Sequence, residues 1–151
     1  MAQAVAVSVS LRCEQATFEL RTPGRGLHDV TARVREIVRA SGIVTGTAHV
    51  FAAHTSCGLV VSENADPDVR ADLERWLSRL VTDGDALFAH DAEGPDDMAA
   101  HVRSVLTGVS LTLPVADGAL TLGTWQGVFL WEHRTAPHRR TVRVTVTGNA
   151  P

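Results

Sequence analysis

The sequence predicts an α+β fold, a single domain in which a largely antiparallel β-sheet is covered on one face by about three helices. Three observations carry this. Apolar and polar residues alternate at both ends of the chain, most cleanly at Val142, Val144 and Val146. Helical spacing of apolar residues is confined to the middle. Neither a G-x-G-x-x-G turn nor a Walker loop is present, which argues against a doubly wound nucleotide-binding sheet.

Taken in order, residues 4–13 and 16–21 alternate and are expected to pair as two strands. Residues 29–41 place Val30, Val34, Ile37 and Val38 on one helical face, which Gly42 can close. Residues 43–52 and 57–63 read as strands. Asp66 is the expected N-cap of a second helix and Pro67 its first residue. Val69, Leu73, Trp76, Leu77 and Leu80 follow at helical spacing until Asp83-Gly84-Asp85 breaks the pattern. A third helix is expected from about 95 to 107. Met98, Val102, Val105 and Leu106 should face inward, Arg103 outward, and Gly108 should end it. Strands 110–115, 119–123, 126–133 and 141–147 complete the chain, with a turn at Ala116-Asp117-Gly118.

The chain has 151 residues, enough for one domain with a real core. A net charge of −3 argues against broad binding to nucleic acid or anionic membranes. The one dense basic cluster is Arg134, His138, Arg139 and Arg140. Cys13 and Cys57 have no partner at metal or redox spacing and read as reduced thiols. The first residues lack a signal-peptide pattern, and no run approaches a membrane span, so a cytoplasmic protein is expected.

The chemistry concentrates in His90 to His101, where two imidazoles and four carboxylates fall within twelve residues. These side chains bind divalent metals and move protons near neutral pH. Gly94-Pro95-Asp96-Asp97 also opens a helix, and one of the two aspartates, Asp96 more than Asp97, is expected to serve only its positive end. Ten residues separate His90 from His101, which is not a close metal spacing, so the pair depends on the fold to meet. Three further polar clusters follow apolar strands: His54-Thr55-Ser56, Glu63-Asn64-Ala65-Asp66, and Gly123-Thr124-Trp125-Gln126 together with Glu132-His133-Arg134. Ser56 lacks a nucleophile elbow, so serine hydrolysis is set aside. Glu132 and Arg134 alternate on a strand and read either as a surface ion pair or as a carboxylate ligand beside an anion clamp. Trp125 is core or pocket wall, and Gln126 can read a polar ligand.

These residues together resemble the YjbQ-like family of small proteins, known as secondary thiamine-phosphate synthase enzymes. The likeness runs over nearly the whole chain. It rests on His54-Thr55-Ser56, on Glu63 to Val69, on Glu93 to His101, and on Ser110 to Val115 followed by Gly118 and Gly123-Thr124-Trp125-Gln126-Gly127-Val128. Cys57, Gly58 and Ala99 depart from the usual residues, and His133 falls at a variable position and takes no role. The resemblance implies a strongly bent mixed sheet and a homotrimer. It implies a site built from His54, His90, Asp97, His101, Glu132 and Arg134, with Trp125 nearby.

The resemblance also implies a weak thiamine-phosphate synthase activity beside an unknown main role. That reaction joins a pyrimidine methyl diphosphate to a thiazole phosphate and expels pyrophosphate, so a small phosphorylated molecule is the expected partner. In the working assignment, His54, His90 and His101 hold a divalent metal or a phosphate. Asp97 or Glu132 completes the shell or acts as base, Arg134 neutralises the leaving phosphate, and Trp125 and Gln126 line the pocket. Mg²⁺ suits diphosphate chemistry, whereas a His-rich set suits Zn²⁺. Two alternatives stay open: metal-assisted hydrolysis of a phosphorylated small molecule, and a non-catalytic trimer that binds a metal or anion.

Overall fold

The computed structural model describes residues 10–151. The elements run β1 (Ser10–Thr22), β2 (Gly26–Asp29), α1 (Thr31–Ala40), β3 (Thr45–Ala52), β4 (Cys57–Glu63), α2 (Pro67–Leu80), α3 (Asp97–Thr107), β5 (Ser110–Ala116), β6 (Ala119–Leu120), β7 (Gln126–Glu132) and β8 (His138–Ala150). The α+β class is as expected, but the strands form two sheets. One has the order β1-β8-β3-β5-β6 and the other β2-β7-β4. Every pairing among the described residues is antiparallel, so no parallel pairing makes the sheet mixed.

The strand expected at 16–21 is part of one unbroken strand, β1, paired with β8 from Ser10↔Ala150 to Thr22↔His138. The break between the expected strands 4–13 and 16–21 is absent because β8 supplies a partner for every residue across it. Residues 4–9 of the other expected strand lie outside the described residues. β8 extends well beyond 141–147 for the same reason. β2 has only four residues and too little alternation to be read from the sequence.

Val142, Val144 and Val146 are fully buried with Ala48 and Val50 of β3, Val34 and Val38 of α1, and Val128 and Leu130 of β7. A smaller core on the other side of β7 joins Trp131 to Leu77, Val81 and Ala99. β7 is therefore buried on both faces from Gly127 to Glu132, like the strands of an α/β sheet rather than an edge of an antiparallel one. The start of α1 is docked on it. The Thr31 hydroxyl accepts from the Val128 N–H at 2.8 Å, and the Val30 N–H donates to the Val128 carbonyl at 2.9 Å.

α2 begins as expected, with the Asp66 carboxylate accepting from the Asp68 N–H. Trp76 and Leu80 nevertheless lie outside, and only Leu77 of that helix is fully buried. α3 departs further. Val105 and Leu106 are 84% and 59% exposed, while Ala99, Ala100, Arg103 and Ser104 are buried. Polar residues hold the inward stripe because other elements satisfy them. Ser104 donates to the Cys57 carbonyl at 2.7 Å, and Arg103 donates to Glu74 at 3.2 Å and to the Val81 carbonyl at 2.8 Å. Buried polar groups with such partners are tolerated where unpaired ones are not. Gly58 lets α3 approach β4: a Cβ there would lie 2.0 Å from the Thr107 hydroxyl oxygen. Cys57 beside it is buried, and burial pushes its thiol up to about 11.

Under α3 the polar contacts form a network. Arg25 donates two bonds of 2.8 Å to Asp83 and a third to the His133 carbonyl at 2.9 Å. The Trp131 indole N–H donates to Glu74 at 2.6 Å. The Thr107 hydroxyl donates to the Arg103 carbonyl at 3.0 Å, so the His133 Nε2–H donates to that hydroxyl at 3.2 Å. The His133 Nδ1 and the Arg103 Nε stay buried without a partner among the described residues. Burial, with the Arg103 charge adding to it, lowers the His133 imidazole to about 3.

A depressed imidazole makes stability fall as pH falls. The unfolded chain takes up a proton below about 6.5 and the folded chain does not until about 3. His133 should therefore cost about 2 kcal/mol of stability between pH 7.5 and pH 5. Urea unfolding of the wild type and of His133→Gln at the two pH values checks this: the variant should lose that much less than the wild type.

Candidate functional site

Asp97 opens α3 and His101 follows one turn later, so both project from the same face. The loop before the helix brings His90 to the same point. His90 Nε2 lies 2.8 Å from Asp97 Oδ2, and His101 Nε2 lies 3.1 Å from the same oxygen. These three ligand atoms all fall within 4.8 Å of one another. The Asp97 side chain is only 3% exposed, whereas His90 and His101 are 44% and 32% exposed. The group is thus anchored on a buried carboxylate and open on its imidazole side.

The orientation of His101 is set from behind. Its Nδ1 lies 2.9 Å from the Thr55 carbonyl, which can only accept, so Nδ1 carries the proton. The Nε2 lone pair of the neutral ring then points at a carboxylate oxygen. Such an approach needs a proton or another cation between the two atoms. A histidine donating Nδ1–H to a backbone carbonyl while presenting Nε2 is the usual arrangement of a metal-binding imidazole.

Arg134 lies just past the end of β7, not on it. Its guanidinium donates to Asp97 Oδ1, to Asp96 Oδ2 at 3.1 Å and to the Glu93 carbonyl at 3.0 Å. It orients the aspartates instead of facing the opening, which differs from the expected anion clamp. The Asp96 carboxylate makes no side-chain cap for α3. It accepts instead from Arg134 and from the Thr135 N–H and hydroxyl. Burial alone would raise Asp96, but the bonds from Thr135 and Arg134 outweigh it and hold the carboxyl at about 2. Asp97 is likewise held below the ordinary range. Burial opposes this, and the His90 hydrogen bond, the Arg134 charge and His101 prevail.

His54 stands beside this group and outside it. Its Nε2 accepts from the Thr141 N–H at 2.7 Å, which leaves the proton on Nδ1. Burial first, then the Arg140 charge, lowers its pKa and keeps it neutral. His54 and His101 share a cavity of about 400 Å³ with Thr55, Ser104, Val105 and Val109.

Glu132 was expected to share a strand face with Arg134 and to serve as ligand or base. It is fully buried, and both oxygens are occupied. Arg140 donates to both, the Thr22 hydroxyl donates to Oε2 at 2.8 Å, and the Arg134 N–H donates to Oε1 at 3.0 Å. Arg140 also donates to the Ser56 carbonyl and hydroxyl at 3.1 and 3.0 Å. Burial would raise Glu132, yet these bonds, Arg140's first, lower it. The pair supports the His54–Ser56 segment from below. Trp125 and Gln126 stand at the other end of β7, about 20 Å from Glu132 along an extended strand. The structure does not bring them to the histidines.

The Thr55 carbonyl and Thr135 enter the site without a sequence signal of their own. The spacing of Asp97 and His101, four apart, was the readable clue to a shared face.

Residues 16–149 match the model of the UPF0047 protein YjbQ-like family. The chain belongs to this family. It is 44% identical to the UPF0047 protein of Synechocystis sp., over 95% of this chain and 98% of that one. It is 44% identical to the UPF0047 protein YjbQ of Salmonella typhimurium, over 89% and 97% of the two chains. A YbjQ-like protein of unknown function from Sulfolobus solfataricus superposes with a TM-score of 0.85 at 25% identity, covering 92% of this chain and 99% of the other. A conserved hypothetical protein from Thermus thermophilus gives 0.75 at 40% identity, over 85% and 97%. The family is one of unknown function. Among the described residues no helix of this YjbQ-like chain is long and apolar enough to cross a membrane.

Removing one partner of the Glu132–Arg140 pair leaves an uncompensated buried charge. Glu132→Ala should lose about 3–5 kcal/mol of unfolding free energy. Glu132→Ala combined with Arg140→Met should recover most of it, which denaturant titration of the three proteins would measure.

Proposed function

We propose that His90, Asp97 and His101 hold a divalent metal ion, and that this site acts on a small phosphorylated molecule. The carrying observation is His101, whose Nδ1–H is committed to the Thr55 carbonyl while its Nε2 faces Asp97. Two imidazoles and one carboxylate favour Zn²⁺ over Mg²⁺, which prefers oxygen ligands. Bound there, such an ion would act as a Lewis acid toward phosphate oxygens and would offset charge on a leaving pyrophosphate.

The surrounding residues support that reading. Asp97 is held ionised and oriented by Arg134. Because Arg134 and Arg140 are engaged by Asp96, Asp97 and Glu132, a phosphate gains no free guanidinium from either. The cavity beside His101 offers apolar walls at Val105 and Val109 for the rest of the molecule, and the neutral His54 stands at its edge with a proton on Nδ1. The thiamine-phosphate-forming reaction is carried here as a secondary activity of this site, on the strength of the family resemblance. The homotrimer belongs to the same proposal. Val105 at the cavity and Leu106 next to it in the chain are exposed apolar residues that a neighbouring copy would cover.

The test is metal content of untagged protein by mass spectrometry, followed by titration of the stripped protein. About one Zn²⁺ per chain is expected in the wild type and none in Asp97→Asn or His101→Ala. Arg134→Lys should weaken binding about 10–100-fold, the range for residues that orient ligands. Equal metal content in the wild type and in Asp97→Asn would overturn the proposal. If the metal binds, turnover of the pyrimidine diphosphate and thiazole phosphate pair should require it. If His101→Ala instead loses the assembly together with the metal, the site serves assembly and not catalysis.

A further inference from the structure

The far end of β7 carries a second group of residues, with its own cavity. A concavity of about 460 Å³ runs along the outer side of α1, lined by Asp29, Thr31, Arg33, Arg35, Arg39 and Asn64. Arg33 is partly engaged. It reaches Glu36 at 3.4 Å, and its guanidinium lies 5.6 Å from the centre of the Phe18 ring. Arg35 and Arg39 meet no carboxylate among the described residues. Four apart on a helix, they are neighbours of like charge, an arrangement that costs stability unless an anion lies between them. The carboxylate that lines the cavity, Asp29, already accepts from the Thr31 N–H. Three guanidinium groups face one acid in a chain whose net charge is −3.

Asn64 joins this cavity to Trp125. The Asn64 N–H donates to the Trp125 carbonyl at 3.0 Å, and its side-chain amide donates to the Gln126 carbonyl at 3.3 Å. The turn is closed from within: the Gln126 side chain accepts from the Gly123 N–H at 2.9 Å, and the Gln126 N–H donates to the Gly123 carbonyl at 3.0 Å. Four hydrogen bonds thus hold a turn whose tryptophan remains 64% exposed. An indole fixed on a tied-down turn and left open to solvent is a flat apolar surface on which the ring of a ligand can stack.

We propose that this end of the molecule is a second binding site, for a phosphate ester carrying a flat ring. Arg35 and Arg39 take the phosphate, for which guanidinium is well matched, and Trp125 covers the ring. Asn64 holds the two parts in register. The site owes nothing to the histidine group, from which the length of β7 separates it.

Calorimetric titration with adenosine monophosphate and, separately, with inorganic phosphate tests this on the wild type and on Asp97→Asn. The monophosphate should bind both proteins alike, and inorganic phosphate should bind at least about tenfold more weakly, since it lacks the ring. Arg35→Ala with Arg39→Ala should weaken the monophosphate at least about tenfold, and added salt should weaken it too. Both arginines are on an exposed helix face, and circular dichroism should show the fold unchanged. Trp125→Leu should reduce the preference for the monophosphate over inorganic phosphate. Four results would overturn the proposal: no binding, binding indifferent to the arginine pair, binding lost in Asp97→Asn, or a Trp125→Leu variant that changes assembly size and leaves monophosphate binding intact.

Discussion

The Glu132–Arg140 pair is where the two sheets are tied. Glu132 ends β7 and is in register with Gly26 of β2 and Cys57 of β4. Arg140 belongs to β8, and Thr22, which donates to the same carboxylate, ends β1. One buried ion pair therefore reaches five strands of two sheets and, through Ser56, the segment that carries His54 and Thr55. Taking two charges out of water is costly, and here the remaining lone pairs and protons find partners. The Thr55 carbonyl that orients His101 inherits its place from this arrangement.

The same use of charge recurs around it. Arg134 is shared by Asp96 and Asp97, Arg103 is held by Glu74 and Asp83, and Arg25 by Asp83. Arginine's forked, planar head suits such sharing. The result is an interior in which several guanidinium groups are structural, and the histidines are left as the accessible polar groups at the opening. Arg35 and Arg39 contrast with this because no carboxylate among the described residues meets them.

Much of the fold was legible because it rests on periodicity. The alternation of Val142, Val144 and Val146, the Asp66-Pro67 start of α2 and the Gly108 end of α3 all report local chemistry, and the structure has each where it was read. What escaped depends on partners distant in sequence. Arg103 looks like a surface residue until Glu74 and the Val81 carbonyl are brought to it. Val105 and Leu106 look inward until the polar side of α3 is found packed on β4. The site shows the same division. His90, Asp97 and His101 are close in sequence and could be read as one wall. Glu132, Arg134 and Trp125 are placed by tertiary contacts, and strand alternation alone misjudged what Glu132 and Arg134 face.

β7 is clamped between two cores, with Val128 and Leu130 facing one and Trp131 the other. A slip of one residue would exchange the two sets and leave neither core filled. The strand thus has a single resting position. Coupling carried by a strand would need that strand to have two arrangements that both of its ends bias. A strand of this kind is an axle and not a switch. The Arg134 turn beside the histidine group at one end and the Trp125 turn at the other are kept at one spacing by the strand between them.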